Sequence, residues 1–149
     1  RQGVKICIGM SGIARDIPQL GQAFRDAQSA LRIGKSMRHG PGLYRIDDFL
    51  TEDYLLSADE GRRRRFLGAA LEPLRGRKDM KDLCDTIRCW CETGFSLSRA
   101  GKCLKVHRNT LLYRLEKVRK ITGVDPEDFR SLLPLYLAAI TTPMEDQAG

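Results

Sequence analysis

Residues 96–120 constrain the fold more than any other stretch, because they combine most of the charge imbalance with a helical pattern broken once. This window, SLSRAGKCLKVHRNTLLYRLEKVRK, holds eight Lys or Arg and one acid, a net charge of +7. The other 124 residues carry 18 basic and 18 acidic side chains and are neutral. A basic surface confined to one short helical stretch is the footprint expected of a phosphate-backbone partner. From composition alone, a solvated helix face rich in Lys and Arg would be the commoner explanation.

The spacing of apolar residues in this window predicts two short helices joined by a tight turn. Ser96 can cap a first helix that runs to about Cys103, and its inward positions are Leu97, Ala100 and Leu104. Residues 105–106 break the pattern, and a second helix begins near His107. The inward stripe of that helix is Leu111, Leu112, Leu115, Val118 and Ile121. This order is typical of a helix-turn-helix.

The polar side of the second helix supplies the candidate DNA-binding residues: His107, Arg108, Asn109, Thr110, Tyr113, Arg114 and Lys117. These side chains can donate to base edges or phosphates, and Tyr113 can also lie against a sugar or a thymine methyl. Thr110 is expected near the edge of this side. For His107 two roles remain open, a helix cap satisfied by backbone or a phosphate contact.

The segment KCLKVHRNTLLYRLEKVRKITGV resembles the C-terminal helix-turn-helix of the PucR/CdaR family, bacterial regulators of purine and sugar-diacid catabolism. The matching positions are Val106, His107, Arg108, Asn109, Thr110, Leu111, Tyr113, Arg114, Leu115, Thr122, Gly123 and Asp125. Gly101 departs from the pattern, because relatives usually have Ala there. The arrangement is also similar to the Fis type, in which the start of the second helix enters the major groove.

The resemblance implies a cytoplasmic, sequence-specific transcription regulator that binds double-stranded DNA as a homodimer. It also implies an upstream sensory domain, absent from this chain, that detects an effector metabolite. A leading helix is expected over residues 82–92, and a closing helix is expected to open at residues 125–127. On the closing helix, Leu135 and the last turn are expected to remain available for a partner chain.

Residues 1–57 predict a β-α-β piece. A strand over residues 4–9 precedes a helix from Ile17 to about Arg38, capped by Asp16, and a second strand covers residues 43–46. The expected inner face of the helix is Leu20, Phe24, Ala27, Leu31 and Gly34. This piece resembles the C-terminal half of the GGDEF-like domain in CdaR-type regulators, which implies a sheet edge that is open or paired with another chain.

The predicted fold class is therefore α+β and mainly α, with an N-terminal β-α-β piece followed by an all-α helix-turn-helix domain. The expected boundaries are a partial GGDEF-like region at 1–57, a connecting helix and linker at 58–79, the DNA-binding domain at 80–141 and a tail at 142–149. The run Arg62–Arg65 fits a solvated face or a second DNA contact, and both interpretations stay open.

The sequence predicts no catalytic, metal or cofactor site, and the chain is therefore not expected to be an enzyme. It also predicts no membrane segment. Asp47–Asp48 lacks the Gly-Gly turn that a diguanylate cyclase needs, and His39 lies beside a Gly-Pro-Gly turn where a surface position is expected. Five cysteines in no regular array fit a reducing compartment, with Cys84, Cys91 and Cys103 in the core. Two other classes remain as alternatives: a nucleotide-binding or degenerate cyclase-like module, and a basic helical protein-interaction module.

Overall fold

The chain folds into two units, each with its own hydrophobic core, in a computed structural model that describes residues 4–38 and 40–145. One unit contains the residues up to Asp59, and the other runs from Glu60 to Thr142. His39 and residues 146–149 of the expected tail lie outside the described residues. In the described ranges, none of the helices combines the length and apolar character that a bilayer crossing needs.

The first unit contains the predicted β-α-β piece. Its elements are β1 (Cys7–Met10), α1 (Ile17–Arg38), β2 (Gly42–Arg45), a 3₁₀ turn (Ile46–Phe49) and α2 (Leu50–Ser57). The strands are parallel, with Ile8 opposite Leu43. Asp16 Oδ1 accepts the Gln19 N–H at 3.1 Å, and Gln19 Oε1 accepts the Arg15 N–H at 3.0 Å. These two bonds satisfy donors that a helix start otherwise leaves open, so α1 begins where the capping pattern predicts.

The inner face of α1 differs from the prediction. Leu20 and Phe24 are 56% and 65% exposed, whereas Ala30 and Ile33 are fully buried. Strands of four residues extend only about 13 Å, but α1 with 22 residues is about 33 Å long. The sheet therefore covers only the second half of α1, and the prediction for its first half was wrong.

The second unit is all helical. Its elements are α3 (Glu60–Leu71), a 3₁₀ turn (Glu72–Leu74), α4 (Met80–Glu92), α5 (Leu97–Leu104), α6 (Arg108–Thr122) and α7 (Phe129–Glu145). The central residues of its core are Leu67, Leu71, Leu74, Leu83, Ile87, Trp90, Ala100, Leu111, Leu115, Val118, Leu132 and Leu135. Because α3 contributes to this core, the helix expected as a connector packs as part of the helical unit.

Local capping residues fix the limits of α5 and α6 as the sequence predicts. Ser96 Oγ accepts the Arg99 N–H at the start of α5. Lys105 ends α5 in the left-handed conformation with φ 55°, and Gly123 ends α6 with φ 71°. Left-handed residues stop helices in this way, and glycine adopts the conformation without steric cost.

The closing helix α7 begins at Phe129, not at residues 125–127. The Asp128 carboxylate accepts the backbone N–H groups of Arg130 and Ser131, which makes Asp128 the cap. Pro126 instead lies in the preceding turn, where its carbonyl accepts the Trp90 indole N–H at 2.8 Å. Leu135 is 2% exposed, so the expectation that it is free for a partner chain was wrong. The helix continues through residues 142–145, where a tail was expected.

The cysteines also differ from the prediction. Cys103 lies on the exposed side of α5 and forms a disulfide with Cys89 of α4, with 6.2 Å between their Cα atoms. Cys84 and Cys91 are half-buried free thiols, and burial raises the pKa of each to about 11. The parity of the cysteine count gave no indication of this pair, because only the packing of α5 on α4 brings the two residues together.

Two adjacent leucines of α6 test its orientation. Leu111 is fully buried and Leu112 is 42% exposed, although both were predicted to face inward. We expect Leu111→Ala to lower the free energy of unfolding by about 2–5 kcal/mol, since it opens a cavity in the core. The matched change Leu112→Ala should cost less than about 1 kcal/mol. Urea denaturation measures both, and equal costs would contradict the orientation of α6 described above.

Candidate nucleic-acid interface

The turn between α5 and α6 is tight because Gly101 lies beneath it. The Val106 N–H donates to the Gly101 carbonyl at 3.0 Å. A Cβ added at Gly101 would lie 3.2 Å from the Val106 carbonyl oxygen, closer than ordinary van der Waals contact. The glycine that departs from the family pattern therefore occupies a position where backbone segments approach closely, and it sets how α6 leaves the turn.

His107 is the cap of α6. Its Nδ1 accepts the Asn109 backbone N–H at 3.2 Å, with His107 itself in an extended conformation. This bond confirms the capping role that the sequence left open. The residue is exposed, so the same side chain also lies on the surface at the start of α6.

The first turns of α6 present a polar surface to solvent. Arg108, Asn109 and Thr110 are exposed, and Tyr113 is 64% exposed. Lys117 Nζ lies 5.6 Å from the centroid of the Tyr113 ring, within cation–π range. The structure therefore brings five of the predicted residues together on one exposed surface: His107, Arg108, Asn109, Thr110 and Tyr113.

Arg114 and Lys117, the other two predicted residues, lie on the flank of α6 that faces the start of α4. The Arg114 guanidinium is 3.0 Å from Asp82 Oδ2, and Lys117 Nζ is 2.6 Å from Asp79 Oδ2. The cationic side chains are only 20% and 29% exposed. They were expected on the outer side of the helix, and the difference arises because two carboxylates at the start of α4 lie against this flank.

The Asp79–Lys117 pair is electrostatically coupled. The contact with Lys117 holds the pKa of Asp79 below its ordinary value, and Arg77 acts in the same direction. The same contact raises the pKa of Lys117. Asp79 Oδ2 is shielded from solvent, so loss of Lys117 would leave this oxygen without its cation, while Arg77 Nε stays 3.0 Å from Asp79 Oδ1. Sequence reasoning missed Asp79 and Asp82 as partners of α6, and the only available signal was the acidic start of the leading helix.

Four cations of the window form a surface that we call the basic face: Arg99, Lys102, Lys105 and Arg108. All four residues are exposed, and none of them makes an ion pair within the described residues. Arg119 is bound to Asp125 at 2.9 Å, and Lys120 lies 3.6 Å from Glu116. The basic face is therefore the part of the window whose cations have no carboxylate partner among the described residues.

The family model of the PucR C-terminal helix-turn-helix domain matches residues 83–140, which run from Leu83 in α4 to Ile140 in α7. Over these residues the helical unit is similar to the PucR C-terminal helix-turn-helix domain. The match covers the basic face, the capped start of α6 and the turn between them. It does not extend to the first unit, for which the GGDEF-like resemblance stays an expectation.

Curated relatives agree with this assignment. The chain is 29% identical over 136 residues to the purine catabolism regulatory protein of Bacillus subtilis, covering 89% of this chain and 25% of that protein. It is 27% identical over 119 residues to the carbohydrate diacid regulator of Escherichia coli, covering 80% and 31%. The chain thus spans about a quarter to a third of the length of these relatives. A crystal structure of a regulator of polyketide synthase expression from Bifidobacterium adolescentis is 31% identical, covering 80% of this chain and 49% of that one, with a TM-score of 0.43.

Two lysines of α6 test the contact with α4. Lys117→Met and Lys120→Met each remove one positive charge, but only Lys117 is held against α4, and Lys120 is 74% exposed. We expect Lys117→Met to lower the Tm clearly at pH 7, because Asp79 keeps its charge and loses the cation at its shielded Oδ2, with Arg77 as the remaining partner. Lys120→Met should leave the Tm nearly unchanged. Thermal melts of both variants provide the comparison.

The pH dependence of that Tm difference has a defined sign. Because the pKa of Asp79 is lowered on folding, the pair stabilises the fold above the ordinary carboxyl value of 3.8 and loses this effect as the pH falls further. Because the pKa of Lys117 is raised, the stabilisation is complete below 10.5 and is lost at higher pH. The Tm difference should therefore be flat between these limits and shrink below about pH 3. A difference that is independent of pH in acid would contradict the ion pair.

Proposed function

We propose that this chain supplies the DNA-binding function of a bacterial transcription regulator and inserts the start of α6 into the major groove of a specific duplex site. One observation supports this above the others: the unpaired basic face adjoins the polar, capped start of α6 within a helix-turn-helix. Cations without protein partners are free to replace the counterions of the phosphate backbone. If the basic face were only a solvated surface, the start of α6 beside these cations would not need to be polar. We propose binding, with no catalytic step.

The predicted residues divide into two roles in this proposal. Arg108, Asn109, Thr110 and Tyr113 contact bases, sugars or phosphates, because all are exposed at the start of α6. His107 caps the helix and contributes to phosphate binding there. Arg114 and Lys117 act indirectly. Their ion pairs with Asp82 and Asp79 hold α6 on α4 in the orientation that the groove requires.

A dimer is part of the proposal. One helix-turn-helix contacts few base pairs, so two copies on a near-palindrome, with half-site centres about 34 Å apart or a multiple of it, are needed to single out a genomic site. Leu135 and Ile140 are buried and contribute no dimer surface. The names of the relatives suggest control of catabolic genes, with the effector metabolite detected by a part of the protein outside this chain.

The salt dependence of duplex binding measures the number of phosphates contacted. If the four cations of the basic face each neutralise one phosphate, log K against log salt should have a slope of about −3 to −4 per protomer, at roughly −0.9 per phosphate. Fluorescence anisotropy across a salt series gives the slope. A slope near zero would exclude a DNA interface on this face.

Substitutions at the start of α6 separate base contacts from phosphate contacts. Arg108→Ala and Asn109→Ala should each cost about 1–3 kcal/mol of discrimination between the selected duplex and a scrambled one, because a base contact is lost. Arg130→Ala, which removes an exposed arginine from α7, is the matched control and should change neither affinity. The selected duplex comes from selection on random sequences. Equal weakening on both duplexes would mean that Arg108 contacts only phosphate.

A further inference from the structure

The disulfide Cys89–Cys103 ties the first helix of the helix-turn-helix to the helix before it. The bond closes a loop that contains the last turn of α4, the connecting turn and nearly all of α5. Cys103 is the next-to-last residue of α5, so the tether acts at the end that leads into Lys105 and α6. The bond therefore fixes the part of α5 that determines where α6 begins.

α5 is the shortest α-helix of the second unit. It has eight residues, fewer than a helix needs for stability of its own, and Gly101 in its interior disfavours the helical state further. Its position depends on packing against α4 and α6. It also supplies Arg99 and Lys102, two of the four cations of the basic face. Loosening of α5 therefore displaces part of the DNA-binding surface.

We propose that Cys89 and Cys103 are a reversible thiol–disulfide site, closed by a peroxide-class oxidant and opened by a small thiol, that sets the DNA affinity of the helix-turn-helix. The oxidised form is the tighter binder, because the bond holds α5 in the binding geometry before DNA arrives. The two Cα atoms lie 6.2 Å apart, within the range that disulfides span, so the packing of α5 on α4 accommodates the bond. The effect on DNA affinity rests on the proposed function, whereas the thiol chemistry does not.

The two cysteines differ in access, which assigns the order of steps. Cys103 is exposed and Cys89 is 4% exposed, so the oxidant reaches Cys103 first. The Cys103 sulfur attacks one peroxide oxygen, the O–O bond breaks, and a sulfenic acid and water result. The Cys89 thiol then attacks the sulfenic sulfur and forms the S–S bond, while hydroxide leaves with the thiol proton as a second water. Two thiols lose two electrons in total, and one peroxide gains them.

The other thiols of the helical unit do not compete. Burial raises the pKa of Cys84 and Cys91 to about 11, so the exposed Cys103 reacts with peroxide before either of them. Cys7 belongs to the first unit. Oxidation by one equivalent of peroxide should therefore give a single intramolecular bond and leave three free thiols of five.

The experiment compares the whole chain reduced by dithiothreitol, the same chain after hydrogen peroxide, and the oxidised chain after native incubation with millimolar glutathione. Thiol titration in denaturant counts the free thiols and so shows whether the bond has formed. Thermal melts give the Tm, and fluorescence anisotropy gives Kd for the selected duplex. We expect five thiols to become three, Tm to rise by about 10 °C or more, and Kd to tighten about three- to tenfold. Glutathione should reverse all three changes.

Cys103→Ser tests the pair, since an exposed residue is replaced without disturbing the core, and Cys91→Ser on α4 is the matched control. Cys103→Ser should lose the Tm and Kd responses to peroxide, and Cys91→Ser should keep both. Peroxide responses that persist in Cys103→Ser would overturn the site. A bond that forms without changing Kd, or that glutathione cannot open, would overturn its regulatory role and leave a structural crosslink. Absence of duplex binding in every redox state would overturn the proposed function, and the thiol and Tm responses would still report on the pair.

Discussion

The helical unit depends on Trp90, which links the leading helix to the turn before α5 and to the turn before α7, 36 residues away. Its indole N–H donates to the Pro126 carbonyl in a buried hydrogen bond, and its ring meets Phe95 edge to face with 5.7 Å between centroids. Phe95 contacts Phe129 in the same manner at 6.2 Å. The leading helix, the turn before α5 and the start of α7 are therefore held at one point. Because α5 and α6 lie between these segments, their angle is fixed by contacts outside the helix-turn-helix itself.

Charge in this unit is divided between structure and surface. Arg114 and Lys117 pair with carboxylates of α4 and its preceding turn. The sequence had assigned both of these cations to DNA. Positions on α5 and in the turn, at Arg99, Lys102 and Lys105, remain unpaired among the described residues. The net charge of the window is thus a poor count of phosphate contacts.

The features that the sequence predicted well are those decided locally. Ser96, Lys105 and Gly123 mark helix ends because a cap or a left-handed residue acts within one turn of itself. Features that depend on which element lies alongside were missed. Leu112 matches the apolar stripe by spacing, yet it faces an open cleft shared with Trp90 and Leu97. Periodicity indicates that a side of a helix is apolar, but only the packed neighbours decide which edge of that side is covered.

The same distinction explains the cysteine pair and the first unit. No local pattern links Cys89 to Cys103, since their proximity follows from the angle between α4 and α5, which Trp90 and Phe95 help to fix. In the first unit, Ile8 and Leu43 lie side by side on the strands, and each is about half exposed. The alternating pattern predicts apolar positions that the described residues do not fully cover. Helix-turn-helix motifs are short because most of their rigidity comes from neighbouring elements. A covalent tether between α4 and α5 acts on the helix that leads into α6 and carries Arg99 and Lys102, which is the physical basis of the proposed redox effect on DNA affinity.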